Sequence, residues 1–140
     1  MAYARPMDQA RSMPTAMPIE IELTVEPGCL FARVRGDVVD VPGATRYVDQ
    51  LLDGCVHNQR RRLLVDETAT RHHEPMYSAW RVAEHLIDRG ITARVERVAC
   101  VPHDYSWILA RLFTVMLRER GVRCRLFKSM TEARAWIEAP

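Results

Sequence analysis

Three features of the sequence predict an α/β fold built on a five-stranded mixed sheet. Ile19, Ile21, Leu23 and Val25 alternate with Glu20, Glu22, Thr24 and Glu26, the period-two pattern of a half-buried strand. Leu63-Leu64-Val65 and Val98-Ala99-Cys100-Val101 are short, continuously apolar runs of the kind found in central parallel strands. Helical periodicities separate these strands, an order that implies parallel pairing through crossover helices.

Each element has a local reason. Pro27-Gly28 suits the centre of a type II turn over Glu26 to Cys29. Beyond it, Leu30, Ala32 and Val34 alternate with Phe31, Arg33 and Arg35. An antiparallel hairpin closed by that turn sets Val25 against Leu30, Leu23 against Ala32 and Ile21 against Val34. On its other face Glu22 meets Arg33 and Glu20 meets Arg35, and opposite charges across a ladder are favourable. Ile21, Leu23 and Val34 are therefore expected to be buried and the charged face wet.

Asp40 is a helix N-cap and Pro42 sits near the first helical position, where its missing N–H costs nothing. Ala44, Tyr47, Val48, Leu51, Leu52 and Cys55 then mark one helical face. Asp66 to Glu74 reads as a polar connection after the Leu63–Val65 strand. Pro75 opens a second helix with Ala79, Trp80, Ala83, Leu86 and Ile87 inward, and Gly90 ends it. A third helix, about Ser106 to Arg120, is apolar around most of its girth, leaving a narrow polar stripe of Arg111, Thr114 and Arg118. Gly121 ends it. Val122, Cys124 and Leu126 alternate with Arg123 and Arg125, as in an edge strand. Ser129 and Glu132 form a capping box for a last helix that turns Met130, Ala133, Trp136 and Ile137 inward.

A chain of 140 residues makes one domain with room for a core. Residues 1–18, rich in Met and Pro without period, read as a flexible and dispensable tail, so the domain spans 19–139. Twenty basic against 18 acidic residues argue against a nucleic-acid partner. No apolar run reaches the length of a membrane span, and the N-terminus lacks a signal-peptide core. Cys29, Cys55, Cys100 and Cys124 form no C-x-x-C pair and read as reduced structural thiols, consistent with a cytoplasmic protein.

Arg62-Leu-Leu-Val-Asp66, Arg97-Val-Ala-Cys-Val101, Arg125-Leu-Phe127 and Glu132-Ala-Arg-Ala-Trp-Ile137 resemble the bacterial SpoIIAA-like proteins of the STAS/SEC14 type. That resemblance, over roughly Ile19 to Ala139, implies a β-α superhelix with sequential strands and helices mainly on one face of the sheet. The wider fold includes anti-sigma-factor antagonists switched by phosphorylation of an Asp-Ser-Ser-Gly-like motif after a central strand. Here the matching connection reads Asp66-Glu-Thr-Ala-Thr-Arg-His-His-Glu-Pro75 and lacks the motif. Other relatives carry lipids or other hydrophobic ligands.

Two sets of residues are candidate sites. Ligands in open α/β sheets bind at the carboxyl ends of the parallel strands. Those ends carry Asp37, Asp40, Asp66, Glu67, His72, His73, Glu74, His103 and Asp104. Of these, Asp66, Glu67, His72, His73, His103 and Asp104 form the polar cluster. Adjacent His72 and His73 diverge on a strand or a helix, so no metal or other cofactor is expected, and replacing both should barely change stability. Short polar residues also simply cap and turn such loops. The second set is the apolar helix surface of Trp107, Ile108, Leu109, Leu112, Phe113 and Met116, which seals a deeper core, forms a homodimer interface or lines a groove for an apolar ligand. His57 beside Arg60-Arg61-Arg62 reads as a solvated loop or an anion patch, and His85 as a satisfied, partly buried residue. No Ser, Cys or Thr has a recognisable base nearby. The expected function is a non-catalytic binding or regulatory module with a homodimeric or regulatory protein partner. The alternative is a carrier of a small hydrophobic ligand, and a metal- or acid/base-dependent enzyme at the polar cluster comes third.

Overall fold

The computed structural model describes residues 15–140, so most of the expected tail lies outside the described residues. The sheet runs in sequence order: β1 (Glu20–Val25), β2 (Leu30–Val38), β3 (Arg62–His72), β4 (Arg97–Pro102) and β5 (Arg123–Leu126). Only β1 and β2 are antiparallel; every other pair is parallel. The helices are α1 (Val41–His57), α2 (Ser78–Asp88), the single turn α3 (Ile91–Arg94), α4 (Trp107–Glu119) and α5 (Met130–Glu138). The α/β class and the mixed five-stranded sheet are as expected, and α3 is the one helix the periodicity does not predict.

The hairpin register is the expected one in every pair, from Glu20 opposite Arg35 to Val25 opposite Leu30. Three details differ. Gly28 does not take a positive φ, so the turn is not type II. Leu23 is 40% exposed although it faces the sheet's helical side, because β1 is the edge strand and α1 lies over β2. Of the two cross-strand charge pairs, only Glu20–Arg35 forms, at 3.9 Å; Arg33 turns instead toward Asp66 on β3. The Glu20–Arg35 pair is exposed at both ends and contributes little.

The apolar runs in β3 and β4 are continuous because helices cover both faces. Leu63, Val65, Val98 and Cys100 point into the core shared with α1, α2 and α4. Leu64, Ala99 and Val101 point the other way, onto Ala133 and Ile137 of α5. Asp40 caps α1 through Gly43 N–H at 2.8 Å, and Ser129 caps α5 through Glu132 N–H at 3.2 Å. Trp80 does not face inward: it is 54% exposed, and Val82 takes the buried position in α2. Thr114 is buried rather than part of a polar stripe, its hydroxyl accepting from the Cys124 thiol at 3.8 Å.

The Arg60–Arg62 run is structural. Arg60 donates to the Glu26 carbonyl at 2.7 Å. Arg62 and buried Arg97 both donate to carbonyls in the last turn of α5 and just beyond it, those of Trp136, Ile137, Ala139 and Pro140. Two guanidinium groups thus satisfy the orphan acceptors of the helix C-terminus. His85 bonds Asp49 at 2.7 Å, as a satisfied histidine should.

The strongest backbone constraint is at Gly36. Its φ is +117°, and a Cβ there would overlap the Pro18 carbonyl. The segment before β1 is held against it, Met17 and Asp37 exchanging two hydrogen bonds of 2.8 Å each. Gly36→Ala is expected to destabilise the protein by about 1–3 kcal/mol, as steric conflict and an unfavourable φ combine. Urea denaturation checks it; an unchanged midpoint would contradict the close approach.

Candidate functional site

The site begins with an irregularity in β3. Asp66 to Glu74 is not a loop, since β3 continues to His72 beside β2. Arg33 pairs with Asp66 but Arg35 pairs with Ala69, so β3 carries one residue more than its neighbour at that point. Asp66 closes the extra turn by accepting from both the N–H and the hydroxyl of Thr68, at 3.0 and 2.7 Å. A bulge of one residue inverts which face the following side chains occupy. Glu67 and His72, five positions apart, would lie on opposite faces of a regular strand. Here both face the helical layer, as do buried Thr70 and Glu74.

Four side chains meet there. His72 Nε2 bonds Glu67 at 3.0 Å, and its Nδ1 lies 3.1 Å from Glu74. The Tyr47 hydroxyl, delivered by α1, donates to the other oxygen of Glu67. The backbone N–H of His72 donates to Ser106 at 2.9 Å. Glu67 and Glu74 are 7% and 9% exposed. Burial by itself would push the His72 imidazole down, but the charge and hydrogen bond of Glu67, with Glu74 behind it, outweigh burial and hold its pKa up at about 10. Burial likewise pushes the Glu67 carboxyl up, and His72 and Tyr47 more than reverse that, leaving it below its ordinary value. Burial and the adjacent Glu67 charge keep the Tyr47 phenol neutral.

The cluster opens onto a cavity of about 110 Å³ between the sheet and helices α1, α2 and α4. Its walls are overwhelmingly aliphatic, with Leu51, Val65, Val82, Leu109, Phe113 and Leu117 prominent. Glu67, His72 and Glu74 are its charged residues, and the hydroxyls of Tyr47, Ser78 and Thr114 complete the polar lining. The Cys100 thiol also lines it, and burial raises its pKa well above the ordinary range, which disfavours the thiolate.

The polar cluster predicted from sequence therefore divides. Glu67 and His72 converge, joined by Glu74. Asp66 serves the bulge. His73 points to the opposite, exposed side, bonding Asp37 at 2.9 Å, with the Tyr105 hydroxyl 3.4 Å from its other nitrogen. His103 caps a 3₁₀ turn through Tyr105 N–H at 2.9 Å, and Asp104 is exposed. Both nitrogens of His72 are engaged by carboxylates. Among the described residues no three His, Cys, Asp or Glu side chains are arranged to hold a metal ion. The apolar helix face divides as well: Leu109 and Phe113 reach the cavity, Trp107, Leu112 and Met116 are half-buried without lining it, and Ile108 is 71% exposed. Tyr47 has no sequence signature beyond its place on the apolar face of α1, so its polar role emerges only in the fold.

The expectation that replacing both His72 and His73 barely changes stability does not fit the geometry at His72, because removing that ring would leave Glu67 and Glu74 without their cationic partner. His72→Ala is expected to cost about 3–5 kcal/mol, the range for breaking a buried ion pair. The pH dependence has a definite sign. The folded pKa lies above the ordinary 6.5, so the stabilisation is complete below pH 6.5 and declines as pH rises toward about 10. Imidazole signals followed by NMR should show His72 still protonated at pH 8; titration near its ordinary value would rule out the ion cluster.

No family model matches the chain, and no curated protein does. Solved structures do match. One is an uncharacterized DUF3478-family protein with a SpoIIAA-like fold from Shewanella loihica PV-4, with TM-score 0.56 and 14% identity over 90% of this chain and 98% of that one. Another is an anti-sigma factor antagonist from Mycobacterium paratuberculosis, with TM-score 0.55 and 11% identity over 86% of this chain and 95% of that one. With its sequential strands, antiparallel first pair and predominantly one-sided helices, the chain has the SpoIIAA-like α/β fold.

Proposed function

We propose that this protein is a non-catalytic binding module that holds a small apolar molecule between the sheet and α1, α2 and α4. The supporting observation is the 110 Å³ cavity, apolar on nearly all sides and charged only at the Glu67–His72–Glu74 cluster. Ligand sites commonly pair an apolar wall with a few placed polar groups. Size bounds the ligand: an apolar cavity of about 150 Å³ accepts benzene with room to spare, so this one suits at most a single small ring or a short branched chain and not a long acyl chain. The non-catalytic reading is supported by the engagement of both His72 nitrogens and by the suppressed Cys100 thiol. Toluene added to the protein should perturb NMR signals of Val82, Leu109 and Phe113. Ala110→Leu, which fills the cavity from α4, should abolish that response and raise stability by about 0.5–2 kcal/mol. No response to toluene, with a destabilised variant, would mean that the region is ordinary core.

A second reading, partner binding, draws on Ile108 of α4. This exposed side chain lies beyond the core, and Tyr105 just before the helix is exposed too. One similar structure is described as an anti-sigma factor antagonist, a protein-directed role, though this chain lacks the Asp-Ser-Ser-Gly-like motif and has strand in its place. Ile108→Asp should convert any homodimer to monomer, as light scattering would report, while circular dichroism shows the fold intact. A wild-type chain that is already monomeric would remove homodimerisation through this face.

A further inference from the structure

Among the cavity's charged residues, hydrogen-bond donors are exhausted and acceptors are not. An imidazolium has two N–H donors, and His72 gives one to Glu67 and the other to Glu74. Tyr47 gives its single O–H to Glu67. Each ionised carboxylate offers about four acceptor sites, so both glutamates retain unused lone pairs. Among the described residues neither has a cationic partner besides His72. Two carboxylates around one imidazolium leave the cluster one negative charge in excess, at 7% and 9% exposure. A carboxylate head entering the cavity would meet buried negative charge; a neutral hydroxyl would find acceptors but leave the charge standing; an ammonium head would satisfy both. The Ser78 and Thr114 hydroxyls can donate or accept and do not alter this preference.

The geometry points to a small aliphatic or aromatic primary amine as the ligand class, its ammonium group donating to Glu74 and Glu67 and its hydrocarbon part filling the Leu51–Val82–Leu109–Phe113 region. This assignment rests on reading the cavity as a binding site and adds the chemistry of the head group.

Three probes of one shape test it: isoamylamine, isoamyl alcohol and isovalerate, each titrated into the full chain at pH 7 by NMR, with toluene as competitor. The amine should bind about tenfold or more tighter than isovalerate, with the alcohol between, and toluene should displace it. Glu74→Gln, which removes one buried charge, should weaken the amine about tenfold and leave the alcohol nearly unchanged. If isovalerate or the alcohol binds as tightly as the amine, the head-group assignment falls while the cavity reading stands. If the amine binds but toluene does not displace it, it sits outside the cavity and the assignment also falls. If neither toluene nor any probe binds, both readings fall together. Should Glu74→Gln not fold, the wild-type ranking decides alone.

Discussion

The site depends on one extra residue in one strand. Between Asp66 and Ala69, β3 is a residue longer than the β2 segment it pairs with. Before that point Leu63 and Val65 face the helical layer; after it Thr70 and His72 do. Without the bulge, Glu67 would remain in the helical layer and His72 would turn to the opposite face, leaving Glu67 buried with only Tyr47. A buried carboxylate in that state takes up a proton instead of keeping its charge. The bulge therefore fixes both the geometry of the cluster and its ionisation.

The cluster is also an energetic commitment. Bringing two carboxylates and an imidazole out of water costs several kcal/mol per ion, and a buried pair recovers that only with good hydrogen bonding. The neighbourhood supplies it: Tyr47 serves Glu67, Ser106 receives the His72 backbone N–H, and each ring nitrogen faces its own carboxylate. Apolar residues of equal volume in place of a buried ion pair are often neutral or stabilising, so holding the helices to the sheet does not by itself require these charges.

The two faces of the sheet divide the work. On one, α5 seals Leu64, Ala99 and Val101 with small contacts, and its C-terminal carbonyls are gripped by Arg62 and Arg97. On the other, α1, α2 and α4 form a broader layer that does not fill all the space beneath it. The apolar girth of α4 follows from this placement: Leu109, Phe113 and Leu117 face the cavity and the core around it, while its other apolar residues lie between α2, β5 and solvent.

Local chemistry was enough to determine the hairpin register, the Asp40 and Ser129 caps, the glycine helix stops and the alternation of strand and helix, because each is decided by residues within a few positions of one another. The SpoIIAA-like architecture followed from that order. The site was only half legible. Glu67, His72 and Glu74 stood among nine polar candidates at the strand ends, and nothing in their spacing separates them from Asp66, His73 or His103. Period-two reasoning would even have parted Glu67 from His72. Three things were settled only by tertiary structure: the unequal pairing of β2 and β3 that inverts the face, the arrival of Tyr47 from α1, and the incomplete filling of space by the helices. Each depends on how separate segments fit against one another, and no local pattern of residues encodes a fit.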